Sequence, residues 1–296
     1  MPKSVIDHFL AYLSHERNRS EQTVRRYETS LRDFEAYFQS LDAGLSWASV
    51  DADIIRGWME SLIDRGNMAS TVNTDLSALK SFYRFALARK LVDRDPAHSI
   101  IGPKKKKPLP QFVRENEMDD LLDGEEWGDN INNVRARTIL LLLYEAGLRR
   151  AELTGLNDVD VDFATGQLKV TGKRNKQRIV PFGKELAEQL HRYIDVRDKE
   201  VPSHEDALFV NNKGRRMTGS QVYAIVRENL TKVTTMKKRS PHVLRHSFAT
   251  AMLNHGAGLE SVRQLLGHES LQTTEIYTHT TIEQLKRVYK EAHPRG

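Results

Sequence analysis

Apolar residues recur at steps of three and four along the first third of the chain, and this spacing predicts amphipathic helices. The second stripe is the clearest: Ser20 precedes it as an expected N-cap, and Gly66 with Asn67 ends the third. Short connections between such helices predict a four-helix bundle. Its predicted core stripes are Val5, Phe9, Leu10 and Leu13; Val24, Tyr27, Leu31, Phe34, Phe38 and Leu41; Ile54, Ile55, Trp58, Met59 and Leu62; and Val72, Leu76, Leu79, Tyr83 and Ala86.

A change in composition marks a boundary after this bundle. Residues 102–110 combine three prolines with four lysines. Prolines remove backbone donors and like charges repel one another, so this segment is expected to be extended. We therefore predict an N-terminal helical domain over residues 1–101, a basic linker over 102–110 and a second domain over 111–296.

The second domain is predicted to be mostly helical around a small antiparallel β-sheet, which makes the protein mainly α. The apolar run 138–144 predicts a central buried helix, and 159–163, 167–170 and 177–182 carry strand signals. Gly267 is a predicted left-handed C-cap. Predicted helix starts are Thr218 with Gln221, Ser240 with Pro241, and Thr281 with Gln284.

Composition narrows the class of protein. With 296 residues, 39% apolar and 29% charged, the chain can form two globular domains. It has no apolar run long enough for a membrane span and no signal-like N-terminus, so we expect a cytoplasmic protein without a membrane partner. It has no cysteine, so disulfides, a thiol nucleophile and thiolate-bound zinc are excluded.

The distribution of charge indicates a polyanionic partner more strongly than the net charge of +5 does. Any one basic run is typical of a solvated loop, but four runs, most of them interleaved with candidate catalytic residues, favour double-stranded DNA. The predicted DNA-binding residues are Lys104, Lys105, Lys106, Lys107, Arg174, Lys176, Arg178, Arg215, Arg216, Lys237, Lys238 and Arg239.

Two arginines and two histidines have the chemistry to hold a phosphate. His242 and Arg245 stand three apart near a helix start, so they share a face. Arg149 precedes Glu152 by three residues, and this carboxylate can orient its guanidinium, although a surface ion pair is the alternative. Bidentate guanidiniums and imidazoles, including that of His268, can stabilise the charge that develops on phosphate oxygens.

A lysine and a tyrosine complete the chemistry of phosphodiester cleavage. Lys173 lies in a predicted hairpin and can protonate the departing oxygen, and Tyr277 is the candidate nucleophile. Either His242 or His268 can take the proton of the tyrosine.

A metal site is the main alternative for these histidines. His242 and His246 stand four apart, but Arg245 lies between them and would repel a cation. Asp158, Asp160 and Asp162 are spaced as in a calcium loop, but the glycine and glutamate that such a loop requires are missing, so a polar strand face is expected. We expect no metal, no nucleotide and no other cofactor.

Five segments together resemble the site-specific tyrosine recombinases, most nearly the Xer recombinases that resolve chromosome dimers. They are Gly-Leu-Arg149-Arg-Ala-Glu152-Leu, Gly-Lys173-Arg-Asn-Lys-Gln-Arg-Ile-Val-Pro, Pro-His242-Val-Leu-Arg245-His-Ser-Phe-Ala-Thr, Leu-Leu-Gly-His268 and Ile-Tyr277-Thr-His. The resemblance implies a SAM-like core-binding bundle joined to a catalytic domain, the two closing around duplex DNA.

The resemblance also implies a reaction course. Tyr277 would form a 3′-phosphotyrosine, and a homo- or hetero-tetramer, possibly with a paralogous recombinase, would exchange strands through a Holliday junction at an inverted-repeat, dif-like site. A septal DNA translocase would regulate it, and the last helix, near 282–292, would dock on a neighbour, or else on its own domain. The alternatives are a mobile-element integrase, a type IB topoisomerase and a non-cutting architectural DNA-binding protein.

Overall fold

The computed structural model describes residues 4–105, 111–124, 127–172, 175–201, 205–267 and 279–295, with the backbone alone for 279–283. Backbone contacts divide the chain into two compact units, Met1–Pro108 and Leu109–Gly296. Among the described residues, no helix is both long and apolar enough to cross a membrane.

The four helices predicted for the N-terminal unit are confirmed. Ser20 Oγ accepts a hydrogen bond from the Thr23 backbone N–H, as expected of an N-cap. The stripes meet in one core, although Leu41, the last residue of its helix, is 55% exposed. The helices are α1 (Val5–Ala11), which continues into a π-helical turn (Tyr12–Glu16), α2 (Glu21–Leu41), α3 (Ala52–Asp64) and α4 (Ala69–Ala88).

The C-terminal unit is built around one helix that is buried on all sides from Thr138 to Glu145. This helix, α6, contains the apolar run 139–144, in which every residue is fully buried. The central helix predicted from the sequence is therefore confirmed. The helices of this unit are α5 (Glu115–Leu122), α6 (Ile131–Glu145), α7 (Arg150–Gly155), α8 (Lys184–Glu200), α9 (Gly219–Val233), α10 (Pro241–Asn254), α11 (Leu259–Leu266) and α12 (His279–Ala292).

A three-stranded antiparallel sheet lies beside these helices, as predicted. Its strands are β1 (Val161–Asp162), β2 (Gln167–Thr171) and β3 (Gln177–Pro181), in that order. Val170 pairs with Arg178 and Leu168 with Val180, and all of these residues are buried, so they share the inward face of the sheet.

The first strand is shorter than predicted, and of its three aspartates only Asp162 lies on it, with an exposed side chain. Residues Asp158–Asp160 form a 3₁₀ turn that Asp160 closes by accepting from the Asn157 backbone N–H. Asp158 pairs with both Nη atoms of Arg197, at 2.7 and 2.9 Å. Hydrogen bonds of these two aspartate side chains, one local and one to a distant arginine, thus take the place of strand pairing over residues 158–160.

The predicted helix ends of the C-terminal unit had different outcomes. Thr218 and Gln221 form the predicted capping box, and Gly267 is the predicted left-handed cap with φ +62°. Ser240 occupies the N-cap before Pro241, but its hydroxyl has no hydrogen-bond partner among the described residues. The last helix begins at His279, so the start predicted at Thr281 with Gln284 is wrong.

Candidate functional site

Glu152 lies at the centre of three arginines. Its two carboxylate oxygens accept from Arg178 Nη1 and Nη2, both at 2.9 Å, and Oε1 also accepts from Arg149 Nη1 at 2.6 Å. Arg245 Nη1 lies 3.7 Å from Oε2. Oε2 also accepts the Arg149 backbone N–H at 2.8 Å, which caps α7. The pair formed by Arg149 and Glu152 is therefore part of a buried cluster, and the alternative of an isolated surface pair is excluded.

The same three guanidiniums hold the end of α11. Arg178 Nε donates to the carbonyl of residue 265 at 2.9 Å, Arg245 Nη2 to that of 266 at 2.5 Å, and Arg149 Nη2 to that of 267 at 3.2 Å. The last carbonyls of a helix have no partner within it, and positive charge there is favourable. The end of α11 and the three arginines therefore stabilise each other. We call Glu152, these three arginines and carbonyls 265–267 the arginine cluster.

Two glycines allow the backbone to approach this cluster. Gly147 has φ +57°, and its carbonyl accepts a hydrogen bond from Arg245 Nη1 at 2.6 Å. A Cβ on Gly147 would lie 2.5 Å from a ring carbon of Phe248, and one on Gly267 would lie 3.0 Å from Arg178 Cδ. At both positions a positive φ coincides with a close approach, so only glycine fits without strain.

The cluster keeps its charges at neutral pH. Burial alone would raise the pKa of Glu152, but hydrogen bonds and charge from Arg178, and then bonds from Arg149, lower it to about 2. Burial and the nearby charge of Arg149 lower the pKa of Arg245 to about 9. Since guanidiniums remain protonated in proteins, three positive charges surround one negative charge.

Arg149 and Arg245 retain donors for a ligand. A guanidinium has five N–H hydrogens, and the side-chain bonds of Arg149 and of Arg245 among the described residues use two on each. The Arg149 side chain is 38% exposed, so its free donors reach solvent. This is the chemistry of an oxyanion or phosphate site.

His242 stands at the second position of α10, on an exposed surface. Partial loss of hydration, and then the nearby charge of Arg245, lower its pKa. The imidazole is therefore neutral at pH 7 and able to accept a proton. Among the described residues, no group of three or more His, Asp or Glu side chains is placed to hold a metal ion.

Lys173, Arg174, His268 and Tyr277 lie outside the described residues, and so do Lys106 and Lys107. The residues directly before Lys173 and His268 lie at the arginine cluster. Gly172 lies beside Glu152, because a Cβ on it would be 3.5 Å from Glu152 Oε1. The carbonyl of Gly267, the residue before His268, accepts from Arg149.

Tyr289, on α12, is unsuited to act as a nucleophile. It is 2% exposed, its hydroxyl donates to Glu145 Oε2 at 3.2 Å, and burial raises its pKa well above the ordinary value. It therefore belongs to the core between α12 and the rest of its own unit. Docking of α12 on a neighbouring protomer stays a prediction.

Two of the residues predicted to contact DNA are bonded within the protein instead. Arg178 is 6% exposed, with its fork on Glu152, and Arg216 donates to the carbonyls of Thr154 and Leu156 and to Asn157 Oδ1. Both guanidinium groups are therefore bonded within the protein, and of the two only Arg178 is buried as well. The remaining described candidates are exposed or partly exposed: Lys104, Lys105, Lys176, Arg215, Lys237, Lys238 and Arg239.

Comparison with known proteins gives matches along nearly the whole chain. The phage integrase family matches residues 111–284, and the phage integrase N-terminal SAM-like domain matches residues 6–90. Tyrosine recombinase XerC of Chlorobaculum tepidum is 38% identical over 97% of this chain and 94% of its own. Tyrosine recombinase XerD of Oceanobacillus iheyensis is 35% identical over 100% of both chains.

Solved structures of similar proteins include complexes with DNA. The XerH site-specific recombinase bound to difH substrate, in a pre-cleavage complex, aligns with a TM-score of 0.71 and 25% identity over 96% of this chain and 84% of that one. The Tn1549 transposon integrase bound to transposon right-end DNA aligns with a TM-score of 0.72 at 19% identity, over 96% of this chain and 99% of that one.

Proposed function

The chain belongs to the phage integrase family and is a tyrosine site-specific recombinase, and from that premise we propose that it resolves chromosome dimers at a dif-like inverted repeat. In this proposal Tyr277 attacks the scissile phosphate and forms a 3′-phosphotyrosine, and the strands are rejoined after exchange through a Holliday junction. The observation that carries the proposal is the arginine cluster, in which Arg149 and Arg245 are held with free donors beside the chain leading to Lys173 and His268.

The arginines would act on the phosphate oxygens. Attack on phosphorus increases their negative charge, and each well-placed donor contributes about 2.7–4 kcal/mol by analogy with oxyanion sites. Arg149 and Arg245 need no reorganisation, because carbonyl and carboxylate bonds already fix them. Pre-oriented donors of this kind stabilise the transition state more than the bound substrate, and so lower the activation barrier.

The protons are balanced within the same site. Tyr277 loses its proton to a neutral imidazole as its oxygen bonds to phosphorus, and the departing 5′-oxygen takes a proton from Lys173. The lowered pKa of His242 supports this residue as the base, and His268 would then donate to a phosphate oxygen. The phosphotyrosine stores the energy of the broken bond, so religation is the same step in reverse and needs no cofactor.

The DNA would be held by both units. We propose the N-terminal unit as the core-binding domain and residues 102–110 as a basic linker, with the exposed lysines and arginines named above on the phosphate backbone. Four protomers would act on two sites, possibly with a paralogous recombinase, and a septal DNA translocase would regulate them. Similar identities to XerC and XerD proteins, 38% and 35%, leave both roles open to this chain.

The nucleophile is tested on a nicked suicide duplex. The duplex is first selected from a random-sequence library by its binding to Tyr277→Phe protein. The wild-type chain should form a covalent protein–DNA adduct on it, and Tyr277→Phe should bind the duplex equally but form none. Tyr223→Phe, at an exposed tyrosine of α9, is the matched control and should react normally. An adduct with Tyr277→Phe would disprove the assignment.

The cellular role is tested by the position of the selected repeat. A dimer resolvase requires a site near the replication terminus. A site at the ends of a mobile element would instead assign the chain as an integrase of that element.

A further inference from the structure

Arg178 connects Glu152 to the carbonyls at the end of α11, and its side chain faces the core. It lies on β3 opposite Val170, on the buried face of the sheet. Its Nη atoms each donate to one oxygen of Glu152, and its Nε donates to the carbonyl of Leu265. The side chain therefore ties β3 to the first turn of α7 and to the last turn of α11.

We propose that Arg178 is a positioning residue for strand cleavage, which acts through Glu152 on Arg149 and Arg245 and through carbonyl 265 on the chain that leads to His268 and Tyr277. This inference rests on the proposed function. Arg178 itself would not touch DNA.

The geometry explains why this role needs an arginine. Arg178 donates one hydrogen bond to each oxygen of Glu152. Arg149 therefore uses only one of its side-chain N–H groups on this carboxylate. Without Arg178, the carboxylate is free to turn and to take further donors from Arg149 or Arg245, which would then be withdrawn from the phosphate. Lysine has one charged nitrogen and no planar fork, so it cannot hold two oxygens and a carbonyl in one plane.

The effect on the end of α11 is separate from the effect on Glu152. Carbonyl 265 accepts from Arg178 Nε at 2.9 Å in a buried position. Loss of that donor leaves a helix-end carbonyl with one partner fewer, which favours local opening of the last turn. Because Gly267 follows directly after this turn, its carbonyl, which accepts from Arg149, would be held less firmly.

The test compares Arg178→Met with Arg197→Met, a control that is matched in burial and bonding. Arg197 is 1% exposed, donates to both oxygens of Asp158 and to the carbonyl of Leu208, and lies outside the arginine cluster. Both substitutions should lower the melting temperature. With saturating nicked suicide duplex, well below that temperature, Arg178→Met should form adduct about 10–100-fold more slowly, in the range found for residues that orient metal ligands. Arg197→Met should stay within about 3-fold of wild type, which is below that range.

Binding and charge dependence separate positioning from DNA contact. Arg178→Met should change the salt dependence of duplex binding by no more than the contribution of the one scissile phosphate, because Arg178 itself contacts no phosphate. On a methylphosphonate at the scissile position, where one charged phosphate oxygen is absent, the rate defect should shrink. An undiminished defect there, or equal slowing by Arg197→Met, would overturn the proposal. Arg178→Lys should recover less than half of the lost cleavage rate on a logarithmic scale. Full recovery would show that a positive charge alone is enough at this position, and would contradict the need for a planar fork.

A double substitution and a DNA-free measurement complete the design. If Arg178 acts through Glu152, Arg178→Met combined with Glu152→Gln should slow cleavage by less than the product of the two single effects. In DNA-free protein, Arg178→Met but not Arg197→Met should speed hydrogen exchange at residues 259–267. Absence of any adduct with wild-type protein would refute the proposed function, and hydrogen exchange would still decide whether Arg178 holds α11.

Discussion

Glu152→Gln is the most direct test of the arginine cluster, because it removes one negative charge and almost no volume. The glutamine retains an oxygen that can accept the Arg149 backbone N–H, so the cap of α7 survives. What is lost is the carboxylate between Arg149, Arg178 and Arg245. The substitution therefore leaves three buried or half-buried cations without their common partner.

Two estimates of the magnitude agree. The pKa of Glu152 is lowered from 4.5 to about 2, which corresponds to about 3 kcal/mol at about 1.4 kcal/mol per unit. Removal of one partner from a buried ion pair costs about 3–5 kcal/mol. Because the Glu152 side chain is 4% exposed, solvent screens this interaction little. We expect Glu152→Gln to lower the free energy of unfolding of the C-terminal unit by about 3 kcal/mol at pH 7.

The dependence on pH has a defined sign. A lowered carboxyl pKa stabilises the fold fully above the unfolded value of about 4.3 and loses this effect as pH falls towards the folded value of about 2. The difference between wild type and Glu152→Gln should therefore be constant from pH 8 to pH 5. It should narrow only below about pH 4.3.

The assay must report on the C-terminal unit alone, because the chain has two units. Pulsed hydrogen exchange at α6 in increasing urea does this. Glu117→Gln is the matched control: Glu117 caps α5 by accepting the Arg114 backbone N–H at 2.9 Å, with no ion pair to an arginine among the described residues. It should cost less than about 1 kcal/mol. A cost for Glu152→Gln no larger than that of the control would refute the electrostatic account.

Two further substitutions test the surroundings of the cluster. Gly267→Ala should lower the melting temperature more than Gly256→Ala. Both residues have a positive φ, but a Cβ on Gly267 would lie 3.0 Å from Arg178, whereas a Cβ on Gly256 would have no atom within 4 Å. Equal losses would mean that backbone strain alone lowers the melting temperature. Burial, and then the charge of Glu185, raise the pKa of Glu145 to about 8, so its contribution to stability is complete below about pH 4.3 and is lost as pH rises through about 8. Glu145→Gln should therefore gain melting temperature relative to wild type between pH 5 and pH 8, whereas a difference that does not vary with pH would contradict this assignment.

The sequence predicted those parts of the fold that depend on local periodicity or on a single special residue. The stripes of α2 and α4, the buried run in α6 and the left-handed cap at Gly267 belong to this group. Each follows from helical spacing or from a φ that other residues avoid. Strand β1 was overestimated, because side-chain bonds from Asp160 and Asp158 compete with strand pairing in a way that propensities do not capture.

The buried position of Arg178 was missed because its neighbours in the sequence are mostly basic or polar. The run 173–178 looks like a solvated loop, and its cations other than Lys173 were predicted to contact DNA. The alternation of β3 contained the missing information: Arg178 and Val180 are two apart, so an inward Val180 places Arg178 on the same face. The carboxylate that it would meet there, Glu152, lies 26 residues away and could not be identified from the sequence alone.

The charge of the cluster, and not only its geometry, suits the reaction. Three guanidiniums against one carboxylate leave a net charge of +2 at neutral pH. A phosphodiester carries a single negative charge, and attack by a phenolate oxygen adds a second before the departing oxygen is protonated. The site therefore matches the charge of the transition state more closely than that of the bound substrate, which is the condition for catalysis. Replacement of Glu152 by glutamine would raise the charge to +3, so DNA should bind no more weakly. Cleavage should nevertheless become slower, because Arg149 loses the carboxylate that orients its guanidinium.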